Sequence, residues 1–338
     1  MTKTVFTTRI TELFQIRHPI LGGGLMWLAD ANYVAALVNA GAMGFLTPRS
    51  FGGLEPFRAE IRKCRELTQG KPFGVNLYIS ARPEQNRELE KFIDILIEEG
   101  VAFVETAGYV PSAFLPRLKD AGCTVMHKVT TVRHARKAQA IGVDAVCLVG
   151  MECGGHPGLN EVPAFVLAAR AAAELEIPFV VGGGIGLGRQ ITAALALGAG
   201  AVLVGTRMIV AEEIWAHEAY KRKLIEADET CSVAVLKSLR NTYRVLANET
   251  TAAVQQLEAE GVRDYQTLMP LIGGDLSRRA YATGDWRTGL LSAGPAAAFA
   301  DEIAPAAEII ADLMADATRA LDRLNGLAAA GAAAVAAE

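Results

Sequence analysis

A unit that recurs through the first two hundred residues constrains the fold of this chain more than any other feature. In each copy a helical stretch ends at glycine, one or two small or polar residues follow, and an apolar strand begins. The clearest copies run over residues 38–46, 98–104, 119–126, 140–148 and 197–204. Glycine supplies a left-handed helix cap, and a near-continuous apolar strand is typical of a parallel strand buried on both faces. The alternation therefore predicts a parallel α/β fold.

The number of strands narrows this prediction to one architecture. Eight strands are expected near residues 18–22, 43–47, 72–77, 101–106, 123–128, 144–149, 178–182 and 201–205. Seven helices lie between them, near residues 31–41, 54–69, 84–99, 111–121, 131–142, 162–176 and 187–198. Eight strands alternating with helices match a (β/α)8 TIM barrel.

The remainder of the chain has a more helical pattern. Helices are expected near residues 212–227, 230–247, 249–260 and 296–325. We predict a TIM barrel over residues 1–212, a C-terminal helical appendage packed on it over 213–326, and an Ala-rich tail over 327–338. The appendage is expected to cover the barrel mouth.

Two glycine-rich stretches follow the last two strands of the predicted barrel. Residues 179–186 read Phe-Val-Val-Gly-Gly-Gly-Ile-Gly, and residues 202–207 read Val-Leu-Val-Gly-Thr-Arg. Bare backbone N–H groups at such strand ends, next to a helix start, make a site for a phosphate. TIM barrels often hold phosphate after strands seven and eight. The chain is therefore expected to bind a phosphorylated ligand.

Composition excludes several other classes of protein. The formal net charge of -4 gives no basic footprint for nucleic acid, and no uninterrupted apolar run reaches membrane-spanning length. The five cysteines are scattered and never form a CxxC pair, which favours a reducing cytoplasm over a disulfide framework. Histidines and carboxylates nowhere cluster at metal-ligand spacing, so no metal site is expected.

Candidate catalytic residues lie where predicted strands end, because TIM-barrel active sites are built at that face. His156 lies in the glycine-rich segment 150–158 after strand six, and it either accepts a proton from a carbon acid or only hydrogen-bonds the ligand. Two interpretations of Lys128 stay open: it faces a ligand, which is a phosphate or an electron-rich ring, or it is a solvated lysine at the end of a strand. Glu105 is favoured as a structural hydrogen-bond acceptor, and Cys153 as an inert buried thiol. Strand alternation places His127 opposite Lys128.

A dinucleotide-binding fingerprint is excluded despite a superficial match. Residues 184–188 read Gly-Ile-Gly-Leu-Gly, but they follow the seventh strand instead of the first. No acidic residue occurs between Gly188 and Glu212, whereas the fingerprint needs one about twenty positions on. Nucleophile-elbow, Walker and zinc-protease motifs are also missing from the sequence.

The strand-end motifs together resemble a known enzyme family. They are Pro-Ile-Leu-Gly-Gly-Gly at 19–24, Phe-Gly-Val-Asn at 73–76, Val-Glu-Thr-Ala-Gly at 104–108, His-Lys at 127–128, Glu-Cys-Gly-Gly-His-Pro-Gly at 152–158, Gly-Gly-Gly-Ile at 182–185 and Gly-Thr-Arg at 205–207. In this order they are similar to the nitronate monooxygenases, also called 2-nitropropane dioxygenases. That family consists of FMN-binding TIM-barrel enzymes.

The resemblance implies a cofactor, a reaction and a set of site residues. It implies that His156 is the catalytic residue and that the enzyme oxidises nitronates or nitroalkanes with O2 to carbonyl compounds and nitrite. The implied FMN contacts are Gly24, Leu25, Met26, Tyr78, Lys128, Gly154, Gly183, Gly184, Gly205 and Thr206. Lys128 is expected to stabilise negative charge on the reduced ring. Tyr78 replaces a smaller residue common in relatives, which predicts a narrower pocket.

Other functions stay open from the sequence. Residues 238–242, Ser-Leu-Arg-Asn-Thr, resemble a segment of a subgroup that includes NADH:quinone reductases. The same FMN site is therefore compatible with an NAD(P)H:quinone reductase or an FMN-dependent enoyl thioester reductase. A non-enzymatic FMN-binding protein and a sugar-phosphate aldolase or isomerase are further alternatives. The expected partners are small molecules, namely a nitronate or NAD(P)H with an acceptor, and the oligomeric state is left open.

Overall fold

The computed structural model describes residues 6–80 and 82–335, and it contains a closed barrel of eight parallel strands. The strands are β1 (Ile20–Gly22), β2 (Phe45–Leu46), β3 (Gly74–Ile79), β4 (Phe103–Gly108), β5 (Thr124–Val129), β6 (Ala145–Val149), β7 (Phe179–Gly182) and β8 (Ala201–Val204). They are hydrogen-bonded in the order β1-β8-β7-β6-β5-β4-β3-β2. A parallel bridge between Leu21 and Met43 joins β1 to the segment before β2 and closes the barrel. The predicted TIM barrel is confirmed.

Helices alternate with these strands and surround the barrel. They are α2 (Ala31–Asn39), α3 (Leu54–Leu67), α4 (Arg87–Glu98), α5 (Leu115–Asp120), α6 (Val132–Ala140), α7 (Ala164–Glu174) and α8 (Gly188–Ala196). Polar caps fix some of their starts: Asp30 accepts a hydrogen bond from the backbone N–H of Tyr33, and Thr131 from that of His134. All seven predicted barrel helices are confirmed.

A short helix that the sequence did not predict closes the barrel at the N-terminal end of its strands. This helix, α1 (Arg9–Leu13), places Ile10 and Phe14 in the barrel interior. The Phe14 ring lies 5.3 Å from the Phe103 ring and 6.4 Å from the Phe45 ring, centroid to centroid. Such aromatic contacts add to the stability gained from burial. Ile10 and Phe14 therefore fill the end of the barrel where the strands begin, and the end that stays open is the one where the strands finish.

The segment after β8 is only partly helical. It contains α9 (Glu218–Ile225), β9 (Ser232–Val235), β10 (Tyr243–Leu246), α10 (Glu249–Ala259), α11 (Tyr265–Ile272), α12 (Gly274–Thr283) and α13 (Ala306–Val335). The helix predicted over 230–247 is wrong, because β9 and β10 form an antiparallel hairpin there. Within the predicted tail, α13 continues to Val335, and residues 336–338 lie outside the described residues. Among the described residues, no helix is long and apolar enough to cross a membrane.

The last helix packs against the barrel helix that follows the first glycine-rich stretch. The Asp316 side chain accepts a hydrogen bond from the backbone N–H of Arg189 at 2.8 Å and pairs with its guanidinium at 3.0 Å. Thr192 donates its hydroxyl to the carbonyl of Ala317 at 2.8 Å. A Cβ added at Gly188 would overlap the Leu313 carbonyl. The glycine that superficially suggested a dinucleotide motif is therefore explained by close helix packing.

Candidate active site

The first glycine-rich stretch forms a backbone concavity at the end of β7. Gly183 and Gly184 have φ values of +107° and +72°, which favour glycine strongly. The Gln190 side chain holds this turn, accepting from the N–H groups of Gly186 and Leu187 at 2.8 and 2.9 Å and donating to the Gly184 carbonyl at 2.8 Å. Successive N–H groups in such a turn form an anion-binding concavity.

The second glycine-rich stretch completes this concavity at the end of β8. A Cβ added at Gly205 would meet only Leu25 Cδ2, at 3.8 Å, so the space above it is open to a ligand. Thr206 begins a short 3-10 helix over Thr206–Val210, and the first N–H groups of a helix lack partners within it. The Thr206 hydroxyl accepts a hydrogen bond from the Gly294 N–H at 3.0 Å. We call Gly183, Gly184, Gly205 and Thr206 the glycine cradle.

The segment after β1 lies between the glycine cradle and β3. Leu25 borders Gly205, and Gly24 packs on Asn76, where an added Cβ would lie 2.6 Å from Asn76 Cβ. The next residue, Met26, lines a recess together with Tyr78. The Tyr78 side chain is exposed at this recess, and Arg49 lies over its ring at 5.9 Å. The structure thus brings Gly24, Leu25, Met26 and Tyr78 to the same end of the barrel as the cradle.

A buried polar group connects β3, β4 and β5. The Glu105 carboxylate is fully buried, accepts a hydrogen bond from the Asn76 amide, and pairs with the Lys128 ammonium at 3.0 Å. Burial opposes the charge of Lys128, but Glu105 outweighs it and raises the pKa of Lys128 above its usual value. Lys128 therefore presents a fixed positive charge in the barrel. Glu105 is a structural acceptor here, as the sequence favoured.

His127 points away from Lys128, as predicted from strand alternation. The His127 ring is buried, and its Nδ1 lies 2.9 Å from the Thr106 hydroxyl. Burial lowers the pKa of His127 to about 4, so the ring is neutral at pH 7. His127 belongs to the packing between the barrel and its helices.

His156 lies at the centre of the segment 150–158 that follows β6, which we call the His156 loop. The residue keeps contact with solvent, but one face of its ring is covered by the ring of Tyr243 of β10, with centroids 4.4 Å apart and planes 6° from parallel. Its Nε2 lies 3.4 Å from the Asn241 amide nitrogen. Loss of solvation among the surrounding protein atoms lowers the pKa of His156, with no contribution from a charged neighbour. At pH 7 the imidazole is neutral and accessible.

The rest of the His156 loop packs tightly between the barrel and the C-terminal segment. A Cβ added at Gly154 would lie 2.8 Å from the Ala293 carbonyl carbon. Cys153 is half-buried, and burial raises the pKa of its thiol to about 11. A thiol with that pKa is a poor nucleophile at pH 7. In the described part of the chain, no group of three His, Cys, Asp or Glu side chains is arranged to hold a metal ion.

Several site residues were missed by the sequence analysis. Gln190 was detectable, since a long polar side chain in the first turn of a helix is a cap signal. Asn76 was noted only as a strand end, although the sequence places it opposite Glu105 once β3 and β4 are paired. Asn241 lies in the segment 238–242 noted in the sequence, but nothing in the sequence indicated that it or Tyr243 contacts His156, which lies more than eighty residues earlier in the chain.

The closed barrel, with the glycine cradle and His156 at its open end, is compatible with a TIM-barrel oxidoreductase, and the comparisons place the chain in a family of such enzymes that are flavin-dependent. The nitronate monooxygenase family model matches residues 7–316. The chain belongs to the nitronate monooxygenase family, which confirms the resemblance found in its motifs.

Individual relatives carry different names within this fold. A 5-hydroxy-7a-methyl-1-oxo-octahydro-1H-indene-4-carboxyl-CoA dehydrogenase of Mycobacterium tuberculosis is 34% identical over 253 residues, covering 75% of this chain and 68% of that protein. The structure of FabK from Thermotoga maritima is 33% identical with a TM-score of 0.87, covering 96% of this chain and 100% of that one. A nitroalkane oxidase from Streptomyces ansochromogenes is 26% identical with a TM-score of 0.81, covering 93% and 99%.

The residues at the barrel mouth fit a phosphorylated flavin. The glycine cradle offers backbone donors to a phosphate. Glu105 Oε1 and Thr47 Oγ1 are buried oxygens without a hydrogen-bond partner among the described residues, so the carboxylate oxygen can accept a hydrogen bond from a ring edge and the hydroxyl can donate or accept one. The Lys128 charge lies beside Glu105. Donors for an anion at one side and unsatisfied polar atoms with a cation at the other suit a ligand with a phosphate and a polar ring.

Proposed function

We propose that this protein is an FMN-dependent nitronate monooxygenase that oxidises nitronates and nitroalkanes with O2 to carbonyl compounds and nitrite. The observation that carries the proposal is the neutral, accessible imidazole of His156 at the end of the barrel that holds the glycine cradle. A neutral imidazole can take a proton from carbon at pH 7, whereas an imidazolium cannot. Family membership supports the same reaction.

FMN would be held along the whole barrel mouth. The glycine cradle binds its phosphate through backbone N–H groups, and Lys128 lies where positive charge favours an electron-rich ring. Gly24, Leu25, Met26, Tyr78 and Gly154 are the other proposed contacts. When bound, FMN supplies the redox chemistry, and the protein supplies position and electrostatics.

His156 is needed for only one form of the substrate. A neutral nitroalkane carries an α-proton, which passes to a ring nitrogen of His156 while the electron pair of the broken C–H bond stays on the substrate. A nitronate has already lost that proton. His156 therefore distinguishes the two substrates, and a base of this type contributes about 10²–10⁴-fold to the rate.

An anaerobic absorbance titration of the purified protein tests the proposal. Propyl-2-nitronate is added to one sample, and NADH or NADPH to another. Reduction of a bound flavin by the nitronate alone supports the monooxygenase. A protein that shows no flavin band after FMN is added would reject the monooxygenase and any other flavin-dependent activity.

The second candidate is a reductase that takes hydride from NAD(P)H and passes it to a quinone or an enoyl thioester. It is favoured by the position of residues 238–242, because Asn241 of this reductase-like segment lies against His156. The similarity to a carboxyl-CoA dehydrogenase also favours it. Fast bleaching by NADH or NADPH alone would support this function. Steady-state turnover of either kind would reject a non-enzymatic flavin-binding role.

Two expectations from the sequence stay predictions: the cytoplasmic location and the domain boundary at residue 212.

A further inference from the structure

The β9–β10 hairpin, with its connecting loop 236–242, is fastened to the His156 loop. Gly155 donates its backbone N–H to the Arg244 carbonyl at 2.9 Å and accepts from the Arg244 N–H at 2.7 Å. The Arg244 side chain donates from Nε to the Met151 carbonyl at 2.7 Å. Three hydrogen bonds from one residue to the His156 loop fix the hairpin relative to that loop.

Tyr243 lies flat against the His156 ring. Its own ring is stacked on the imidazole at 4.4 Å and 6°. Its hydroxyl is 2.7 Å from the Ser292 hydroxyl, and Ser292 is bridged to Val245 of the same hairpin. Because the tyrosine is held at both its ring and its hydroxyl, it restricts the tilt of the imidazole. Stacked aromatic contacts of this kind add to the stability gained from burial.

Asn241 contacts one nitrogen of the same ring. Its amide lies 3.4 Å from Nε2, while Nδ1 of His156 has no hydrogen-bond partner among the described residues. An asparagine amide can present either its NH2 or its oxygen to the ring, depending on the rotation of the amide. With the oxygen toward Nε2, it accepts from Nε2–H and leaves the lone pair of Nδ1 available.

We propose that Asn241 and Tyr243 are positioning residues for His156, with Asn241 keeping the proton on Nε2 and Tyr243 fixing the ring plane so that Nδ1 accepts the substrate proton. The proposal rests on the proposed function, in which His156 is the base. After transfer, Nδ1 carries the α-proton, Nε2–H remains hydrogen-bonded to Asn241, and the electron pair stays on the nitroalkane. The positive imidazolium then faces the π-surface of Tyr243, which favours it.

A change in the pKa of His156 can be attributed to Asn241 and Tyr243 if the other ionisable groups near the ring do not affect that pKa. The ionisable groups on the two packed elements are Glu152 and Cys153 of the His156 loop and Lys237, Arg240, Tyr243 and Arg244 of the hairpin. None of them shifts the pKa of His156, which is lowered by loss of solvation alone. A charge placed at Asn241 is therefore a new influence on an otherwise unpaired ring.

The test is histidine-selective ¹⁵N NMR of the FMN-loaded enzyme, with the His156 signals assigned by comparison with His156→Gln. In the wild type we expect a neutral ring at pH 7 with the proton mainly on Nε2. Asn241→Leu should give a mixture of the two neutral tautomers. Asn241→Asp should raise the pKa of His156 by about one unit, because a carboxylate favours the imidazolium. Asn39→Asp, which makes the same charge change on the exposed end of α2, should leave it unchanged.

Kinetics separates positioning from general stability. Tyr243→Leu and Asn241→Leu should lower kcat for a neutral nitroalkane at least tenfold and leave nitronate turnover within twofold, whereas Tyr243→Phe, which keeps the ring, should recover most of the loss. Unchanged tautomers and unchanged nitroalkane kcat in both leucine variants would overturn the proposal, even if Asn241→Asp shifts the pKa. Loss of nitronate turnover to the same extent would also overturn it. If the wild type turns over no nitroalkane or nitronate, the proposed function fails, and the NMR result still decides whether Asn241 and Tyr243 control the ring.

Discussion

The two sides of the barrel mouth are built in different ways. At the ends of β7 and β8 the proposed phosphate site consists of main-chain N–H groups at Gly183, Gly184, Gly205 and Thr206, which form two pairs of adjacent residues. At the end of β6 the site is a side chain, His156, whose orientation depends on Asn241 and Tyr243 of a separate hairpin. A main-chain site is specified by where glycines stand, whereas a side-chain site needs partners that only the complete fold supplies.

The difference has a chemical counterpart. Main-chain N–H groups can bind the phosphate of many different ligands, so the glycine cradle says little about which reaction the enzyme catalyses. In the proposed mechanism, the imidazole and its two neighbours control where a proton is placed, and this determines which substrate reacts. Divergence of function within the family is therefore expected on the hairpin side of the mouth and not at the cradle.

The largest effect is expected from removing the base while leaving the cradle intact. His156→Asn should lower kcat/KM for a neutral nitroalkane by about 10²-fold or more and change nitronate oxidation and FMN affinity little. Steady-state O2 consumption with each substrate measures the two rates. His134→Asn, at an exposed histidine of α6, is the matched control and should change neither. Equal losses with both substrates would reject the base role.

A second test concerns the charged pair that lies between the two sides. Lys128→Met leaves the buried Glu105 carboxylate without its cation and should lower the free energy of unfolding by about 3 kcal/mol. The double variant Lys128→Met/Glu105→Gln should recover part of this loss, because no buried charge is left unpaired. Chemical denaturation measures both.

The control for this pair is an ion pair on the outside of the barrel. Lys119 and Asp144 are 2.7 Å apart but partly exposed, so Lys119→Met should cost less than about 1 kcal/mol. If the Lys128 and Lys119 variants lose equal stability, the buried pair has no special role in the barrel.

A third test separates acid effects on the barrel wall from those on the base. The pKa of His127 is lowered to about 4 in the folded protein, below its ordinary value of 6.5. The unfolded chain then binds the extra proton first, so His127 should contribute a loss of about 2 kcal/mol of stability as the pH drops from 7 to 5, in addition to any loss from the other histidines whose pKa is lowered. His127→Gln should flatten this part of the curve, measured by denaturation at each pH. An unchanged pH slope in that variant would exclude His127 as the cause.

The smallest effect is expected from a change on the cradle side alone. Gly205→Ala adds a methyl group that the protein accommodates but a bound phosphate does not, since only Leu25 lies near it. FMN affinity should fall about tenfold, equal to about 1.4 kcal/mol, with little change in the Tm of the FMN-free protein. Fluorescence titration with FMN measures the affinity.

Gly326→Ala is the control for Gly205→Ala. It lies in an exposed part of α13 with open space around its Cα, so FMN affinity should stay at the wild-type value. If Gly205→Ala binds FMN as tightly as the wild type, the open space above Gly205 is not where the phosphate lies.

The sequence predicted the barrel well and the hairpin poorly for a physical reason. Most barrel strands are followed or preceded by glycine, and these glycines mark turns directly. The hairpin loop instead turns at Leu236 and Arg240, which have φ values of +61° and +54°. Non-glycine residues rarely adopt such values, so no local signal marked the turn, and Ala, Val and Leu in this segment were compatible with a helix. The contacts of Asn241 and Tyr243 with His156 were therefore out of reach.

The packing of α13 on the start of α8 has a consequence for the order in which the chain can fold during synthesis. A ribosome releases α8 more than a hundred residues before it releases Leu313, Asp316 and Ala317, against which the start of that helix packs. Until then, the first turn of α8, which follows the turn at Gly183 and Gly184, lacks its packing partners in α13. A chain that ends before residue 313 would therefore expose the first turn of α8, directly after the turn that contains Gly183 and Gly184.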